Sequence, residues 1–454
     1  MILKTQLAGQ VYAFKDLTEV LTKANDEKSG DELLGRAART VTERTAAKIV
    51  LANLTLKDFY ENPVLPPEKD EISRVLKEDL SLGVYNRIQN WTIGELRNWI
   101  LDHKTSCEDI CRMSRGLESE AAAAVAKLMT AMDLVYAGSK IRVTATCNTT
   151  IGLPNTLSFR CQPNHPADEL EGIRASLCEG VSYGSGDACF GVNPVEDTAE
   201  NTRAVLDTLW DFMQKWGVPT QNVVLSHITT QMEAVKKGAA CCMLFQSIAG
   251  TAPANEAFGV TTPMLLEAYD LIHQLGQAPG PNLLYFETGQ GSEQSINADC
   301  GVDLVTLEAR CYGYARIFKP FMVNNVSGFI GPETLYDGRQ IIRASLEDHF
   351  MGKLLGIPMG MAPCYTNHTK INQDDQEMAT MLLGLAGSNY YMGLPMGDDI
   401  MLAYQDTSYH DDAALRELLG RTPQPEFFEW MKKHELMDEK GRLTAKAGDA
   451  SVFY

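Results

Sequence analysis

The chain shows two patterns of apolar positions, and the pattern changes near residue 140. Before that point, apolar residues recur every three to four positions, as they do in amphipathic helices. After it, short apolar runs alternate with longer amphipathic stretches, which is typical of an α/β fold. The apolar runs predict strands at Ile141–Thr146, Ala188–Val192, Val223–His227, Met243–Gln246, Leu283–Glu287, Phe321–Asn325, Leu355–Met359 and Tyr390–Leu394.

Eight strands alternating with helices predict a TIM (β/α)8 barrel. The alternative is a doubly wound open sheet, but no strand is followed by the Gly-x-Gly-x-x-Gly fingerprint of that fold. We therefore expect a helical domain over residues 1–137, a barrel over 138–405 and a helical extension over 406–454. Within the first domain, one helix is predicted from Ser119 to Tyr136, with Gly138 as its C-cap.

Composition excludes several classes of function. Of the 454 residues, 59 are acidic and 40 basic, giving a formal net charge of −19. Nucleic acids and anionic membranes need clustered Lys and Arg, so neither is an expected partner. The N-terminus lacks the apolar stretch of a signal peptide, and the long uncharged run Gly238–Asn255 is too interrupted to span a membrane. The 11 scattered cysteines indicate free thiols in a reducing cytosol.

The run Tyr285–Gly291, Tyr-Phe-Glu-Thr-Gly-Gln-Gly, places a carboxylate between a buried strand and a glycine-rich loop. Enzymes with parallel barrels keep their active sites at this end of the strands. The other predicted strand ends supply polar and apolar candidates, and the full set is Arg160, Gln162, Asn193, Pro194, Gln246, Glu287, Ser295, Val326, Phe329, Ala362, Met392, Met401 and Leu402.

This set is typical of a pocket that binds a small polar molecule through hydrogen bonds between apolar walls. It lacks the paired carboxylates of a glycosidase, a Ser-His-Asp triad and clustered metal ligands. An enzyme whose cofactor does the hard chemistry fits such a site. Some of these residues also have a structural interpretation in place of a role in the site. Glu287 and Arg160 are then salt-bridge partners, and Asn193 and Gln246 are caps of turns. Asp398-Asp399 is expected to be a solvated helix N-terminus.

The chain resembles the large subunit of ethanolamine ammonia-lyase, an adenosylcobalamin-dependent enzyme, from Lys4 almost to Tyr454. The matching segments are Asn148-Thr-Thr-Ile-Gly, Gly191-Val-Asn-Pro-Val195, Phe245-Gln-Ser-Ile, Tyr285–Gly291, Gly328-Phe-Ile-Gly-Pro-Glu333, Leu346-Glu-Asp-His-Phe-Met-Gly-Lys353, Tyr365-Thr-Asn-His368 and Gly397-Asp-Asp-Ile-Met401. Motifs of this length are specific for the family.

The resemblance implies a barrel and a radical elimination of ammonia from a 1,2-amino alcohol, with Glu287 and Arg160 as the catalytic pair. It implies substrate contacts at Arg160, Gln162, Asn193, Glu287, Val326, Phe329, Ala362, Met392 and Leu402. It implies adenosylcobalamin contacts at Pro194, Gln246, Ser295 and Met401, with no histidine as the lower cobalt ligand. A small subunit is the implied partner, in a hetero-oligomer of large–small pairs in the bacterial cytoplasm, with a metabolic microcompartment as the alternative location.

One position departs from the family. The family has an aspartate facing the substrate amino group where this chain has Ala362. Glu287 is then expected to be the only carboxylate near the ammonium, and Ala362→Asp is expected to tighten ethanolamine binding. Two alternatives follow from the departure: the same fold and cofactor with a substrate other than ethanolamine, or a catalytically reduced binding or assembly protein.

Overall fold

The structure, a computed structural model, describes residues 1–454 and confirms the α/β barrel. Its eight parallel strands lie in the order β7-β6-β5-β12-β11-β10-β9-β8, so each strand lies beside its neighbours in the chain and β12 pairs with β5. Their bounds are β5 Ser158–Cys161, β6 Cys189–Val192, β7 Asn222–Val224, β8 Leu244–Ser247, β9 Leu284–Thr288, β10 Met322–Gly328, β11 Met359–Thr366 and β12 Tyr390–Gly393.

Each barrel strand is followed by at least one helix, and these helices form the outer layer. They are α11 Leu170–Ser182, α12 Ala199–Trp216, α13 Ile228–Lys236, α14 Ala252–Ala257, α15 Thr262–Leu275, α16 Ser292–Ser295, α17 Leu304–Ile317, α18 Gly338–Leu354, α19 Gln373–Ala386 and α20 Tyr409–Leu419. A short hairpin, β13 Asp398–Asp399 and β14 Tyr404–Gln405, follows β12, and β14 pairs antiparallel with β11.

The remaining elements precede and follow the barrel. They are β1 Lys4–Leu7, β2 Gln10–Ala13, α1 Leu17–Ala24, α2 Ser29–Leu33, α3 Val41–Asn53, α4 Leu56–Glu61, α5 Glu71–Asp79, α6 Leu82–Ile88, α7 Ile93–Leu101, α8 Cys107–Ser114, α9 Ser119–Lys127, α10 Ala131–Lys140, β3 Ala145–Thr146, β4 Thr150–Ile151 and α21 Pro425–Lys433. No helix is long and apolar enough to cross a membrane.

The N-terminal helices and the barrel share one core. A single cluster of buried apolar residues extends from Phe14 to Phe453, and α9 packs against α17 and α18. Buried ion pairs join the two parts as well, because the Nζ of Lys127 on α9 lies 2.7 Å from Asp303 Oδ1 at the start of α17. A domain boundary at residue 137 would fall inside α10, and the division of the chain into domains stays a prediction.

Several predicted boundaries are wrong in detail. The run Ile141–Thr146 is not the first barrel strand; Ala145–Thr146 pairs with Thr150–Ile151 outside the barrel, and β5 takes the first place. The seventh strand begins at Met359, because the apolar run from Leu355 belongs to the turn after α18. The predicted helix Ser119–Tyr136 is two helices, because Thr130 caps a new one, and Gly138 lies inside that second helix.

The barrel has one seam without a backbone ladder, between β7 and β8. Side-chain amides bridge it instead. Asn222 Oδ1 accepts from the N–H of Cys242, and Gln231 binds both the N–H and the C=O of Phe245 at 2.8 Å. These amides take up polar backbone groups that burial would otherwise leave without partners.

Candidate active site

Arg160, on β5, is fully buried inside the barrel and organises the site. Its Nη1 donates to Tyr285 Oη at 2.7 Å and to Glu287 Oε1 at 3.2 Å, and its Nη2 donates to Asn193 Oδ1 at 2.9 Å. Burial lowers the pKa of this guanidinium, but the adjacent Tyr285 and Glu287 outweigh burial and raise it above its usual range. Arg160 is therefore a fixed cation, tied to the ends of β6 and β9.

Glu287, on β9, uses its two oxygens differently. Oε1 accepts three hydrogen bonds, from Tyr285 Oη at 2.6 Å, Arg160 Nη1 at 3.2 Å and Asn324 Nδ2 at 3.3 Å. Oε2 accepts none, and the side chain is 15% exposed. Parallel register explains the third contact, because Asn324 on β10 lies directly beside Glu287. One oxygen thus holds the carboxylate in place while the other is free to accept a hydrogen bond.

A second polar network covers the barrel from the β13–β14 hairpin. The Nε2 of Gln162 donates to Asp399 Oδ2 at 2.6 Å and to Tyr404 Oη at 2.7 Å. The other oxygen of Asp399 accepts the N–H groups of Met401 and Leu402. The expected solvated helix N-terminus at Asp398-Asp399 is wrong, because this pair forms a strand and Asp399 is buried.

The apolar candidates line the same opening. Ala362, Met392 and Leu402 belong to one small apolar cluster with Val326, Cys364, Leu394 and Tyr404. Phe329 lies at the rim, 37% exposed, with its ring edge-on to Tyr404 at a centroid distance of 5.4 Å. Ala362 lies within β11 rather than after it, beside Val326 of β10.

The four cofactor candidates lie in different settings. Pro194 directly follows Asn193, and Met401 is in the β13–β14 turn, so both lie on the barrel rim. Ser295 ends α16 and is exposed. The Gln246 side chain is buried and accepts the N–H of Ile228, the first residue of α13, at 3.0 Å, next to the seam. This contact is structural, and a role of Gln246 in cofactor binding stays a prediction.

Comparison with known proteins now decides the family. The family model described as "Ethanolamine ammonia lyase large subunit" matches residues 12–446. The chain belongs to this family. It is 51% identical to the ethanolamine ammonia-lyase large subunits of Salmonella typhimurium and of Escherichia coli strain K12, over 454 residues and 100% of each chain. Among solved structures, a maturase of the [FeFe]-hydrogenase gives a TM-score of 0.47 at 11% identity, covering 79% of this chain and 80% of that one.

Six contributors to the site were not predicted as site residues: Asn164, Tyr285, Asn324, Asp399, Tyr404 and Asp406. Asn164 donates to Asp399, Tyr285 links Arg160 to Glu287, and Tyr404 and Asp406 come from the β14 end of the hairpin. Tyr285 could have been found, because it precedes Glu287 by two positions and so shares its strand face. No local sequence pattern marks the hairpin residues as part of the site, because the pairing of β14 with β11 is a long-range contact.

Several site side chains bury a polar atom that has no hydrogen-bond partner. These atoms are Arg160 Nε, Gln162 Oε1, Asn324 Oδ1 and Asp406 Oδ2. Buried polar groups are nearly always paired, so a cluster of unpaired ones inside a barrel indicates a ligand that supplies the partners.

Proposed function

We propose that this chain is the catalytic large subunit of an adenosylcobalamin-dependent ammonia-lyase, which converts ethanolamine to acetaldehyde and ammonia. The overall change is HO–CH2–CH2–NH2 → CH3–CHO + NH3, which balances without an added oxidant or reductant. Membership of the family supports the reaction, and full-length relatives named for ethanolamine support the substrate. The observation that carries the proposal is the buried Arg160–Glu287 pair with one carboxylate oxygen left free.

The chain's own groups bind and orient the substrate in this proposal. Gln162 Oε1 and Asn193 offer hydrogen bonds to the hydroxyl group, and Met392, Val326 and Leu402 exclude water around the two carbons. Glu287 Oε2 accepts a hydrogen bond from the amino group. Because Arg160 keeps its charge, the pair stabilises the amino group electrostatically while that group migrates and leaves.

Residues of the rim fit a large, flat cofactor with apolar edges. Exposed apolar side chains surround the opening, among them Val195 at 49% and Ile400 at 66%, each in a loop that follows a strand. Pro194, Ser295 and Met401 would hold adenosylcobalamin from this rim, and Gln246 would contribute through atoms not engaged with Ile228. When bound, the cofactor supplies the radical chemistry that removes and returns a hydrogen atom of the substrate.

The partner in this proposal is a small subunit that completes the cofactor site, since the family description is of a large subunit. We place the complex, a hetero-oligomer of large–small pairs, in the bacterial cytoplasm, with a metabolic microcompartment as the location to test by fractionation.

The test is anaerobic incubation of the large subunit with a small subunit, adenosylcobalamin and a panel of amino alcohols. Ammonia and aldehyde are measured together, because the balanced reaction requires them in equal amounts. Equal release from ethanolamine supports the proposal. An assembled complex that releases neither product from any member of the panel contradicts it.

A further inference from the structure

Asp406 lies on the same face of the barrel as Ala362. Strands β11 and β14 pair with Tyr365 opposite Gln405 and Thr366 opposite Tyr404, so the next step places Asp406 opposite Cys364. Strand β11 shifts register against β10 between Ala362 and Tyr365, so alternation alone does not fix the face of position 362. Packing does fix it, because Ala362 and Cys364 lie in the same small apolar cluster. Tyr404, two residues before Asp406, packs with Ala362 and Cys364 in the apolar cluster.

The Asp406 carboxyl group is buried and only half satisfied. The residue is 5% exposed. Its Oδ1 accepts the N–H of Thr407 at 2.8 Å, while Oδ2 is buried and has no partner. An unsatisfied buried acceptor costs about 1–3 kcal/mol, and more when it is charged. The folded chain thus leaves Oδ2 without a hydrogen bond of normal geometry, although the Thr407 side chain as well as its N–H lowers the pKa of this carboxyl group.

The other carboxylates at the opening differ from it. Asp399 has both oxygens engaged, each by two donors. Glu287 has one oxygen engaged by Arg160, which neutralises much of its charge. Asp406 makes no hydrogen bond to any cation. Asp399 and Asp406 are thus further buried carboxylates of this region, and the expectation that Glu287 is the only carboxylate near the substrate stays a prediction.

We propose that Asp406 is the carboxylate that binds the substrate ammonium group, in the place that an aspartate at position 362 would otherwise serve. The inference rests on the proposed function, because it needs a cationic amino alcohol in the opening. The Ala362 side chain is small and carries no charge. Asp406 Oδ2 then supplies the negative charge for the ammonium group from the neighbouring strand. Glu287 then orients the amino group from the opposite side of the same space.

Electrostatic contacts agree with this placement. Burial is the largest cause that raises the pKa of the Cys364 thiol, and the charges of Asp406 and, less strongly, Glu287 raise it further, as expected if both carboxylates lie near this thiol. Burial raises the pKa of Asp406 well above its ordinary value, and Arg160 opposes that rise without donating a hydrogen bond. A bound ammonium would oppose it further and favour the ionised carboxylate.

The test compares the assembled holoenzyme with Asp406→Asn and Asp406→Ser variants, each with ethanolamine. Loss of one charged hydrogen bond should raise the KM for ethanolamine about tenfold or more in both variants. Inhibition by ethylene glycol, which has no ammonium group, should change much less. A purely structural role would affect the cationic substrate and the neutral inhibitor alike, and that result would overturn the inference.

Asp412→Asn is the matched control. Asp412 lies on α20 behind the strands, is fully buried, accepts from Ser185 Oγ through one oxygen and has its other oxygen unpaired. The charges of Asp412 and Asp406 are coupled, but Asp412 is not expected to contact the substrate, so we expect the KM to change much less than in the Asp406 variants. If the unsubstituted holoenzyme releases no ammonia from ethanolamine, both the proposed function and this inference are overturned. An active parent whose Asp406 variants keep the parental KM overturns this inference alone.

Discussion

Glu287 is held by its neighbours on one oxygen only, and this asymmetry matters at the scale of single residues. Tyr285, Arg160 and Asn324 all donate to Oε1. The carboxylate cannot rotate without breaking these three bonds, so Oε2 keeps a fixed direction. Such preorganisation makes an electrostatic group effective in catalysis.

Glu287→Gln tests this role. The amide keeps the shape but removes the charge, so we expect kcat with ethanolamine to fall about a hundredfold or more. Steady-state ammonia release by the assembled complex measures the effect. Asn324→Ala, which removes one hydrogen-bond donor to Glu287 but no charge, is the control and should lower kcat much less. A Glu287→Gln enzyme with parental kcat would contradict the proposed role.

The presence of Asp406 near Ala362 changes the KM for ethanolamine that we expect of the variant Ala362→Asp. From the sequence alone, a carboxylate at position 362 was expected to tighten ethanolamine binding. With Asp406 nearby, a second negative charge raises the pKa of the first carboxyl group and adds little attraction. We expect the KM for ethanolamine to stay the same or rise.

The double variant Ala362→Asp/Asp406→Asn should have a lower KM for ethanolamine than the single variant Asp406→Asn. This result requires that the carboxylate introduced at position 362 reaches the ammonium group. That position precedes Pro363 and already lies in a strand, so the extended backbone that proline favours is present. A tenfold lower KM in Ala362→Asp alone would show that Asp406 does not serve the ammonium.

The raised pKa of Asp406 gives a pH dependence with a defined sign. The charges of Arg160 and Asp399 shift the pKa of Asp406. The charge of Asp406 in turn raises the pKa values of Cys364, Tyr404 and Asp412. Below its folded-state pKa, Asp406 is neutral and binds an ammonium weakly, so the KM for ethanolamine should fall as pH rises through that value. Asp406→Asn should remove this dependence, as KM measured across the pH range would show.

Stability should respond in the opposite direction. A carboxyl group with a raised folded-state pKa stabilises the fold most below its unfolded value of 3.8, and that contribution is lost as pH rises toward the folded-state pKa. Asp406→Asn should therefore melt higher than the parent at neutral pH, with little difference in acid. Thermal melts at two pH values would show it.

At the scale of elements, the β13–β14 hairpin is part of the active site. Asp399 joins it to the barrel, since one oxygen binds the hairpin backbone and the other binds Gln162 and Asn164. Asp399→Ala should loosen the hairpin, raise the KM for ethanolamine about tenfold and expose the segment to proteases. Limited proteolysis with mass spectrometry measures the exposure. An equally resistant variant would show that other contacts hold the hairpin.

The sequence predicted elements better where the signal was local. Alternating apolar runs and amphipathic stretches found seven of the eight barrel strands at least in part, and the helices after them. The first strand was missed because Ser158–Cys161 is short and contains Arg160, whereas Ile141–Thr146 is the more apolar run. The roles of Asp399 and Asp406 were missed because they depend on tertiary contacts with β5 and β11.

At the scale of the whole molecule, buried charges join the N-terminal helices to the barrel. Lys127 Nζ contacts Asp303, Thr306 and the C=O of Leu21, and neither Lys127 nor Asp303 is exposed. Although burial raises the pKa of Asp303, Lys127 lowers it below its ordinary range. The pair therefore remains ionised within the shared core.

Lys127→Met should destabilise the fold by about 3–5 kcal/mol, because it leaves Asp303 charged and unpaired. Denaturant unfolding of the isolated large subunit measures this difference. Lys57→Met, at the exposed pair Lys57–Glu61, is the control and should change stability by less than about 0.5 kcal/mol. A small effect at Lys127 would show that the two parts are held mainly by apolar packing.

The seam between β7 and β8 has a consequence for inheritance. Any sequence can form a backbone ladder, because every residue other than proline carries the same donor and acceptor. Here the strands are joined through the amides of Asn222, Gln231 and Gln246, so closure of the barrel depends on a few codons. A single nucleotide change at one of these codons can remove one of these bonds, whereas in a backbone ladder only a change to proline could do so.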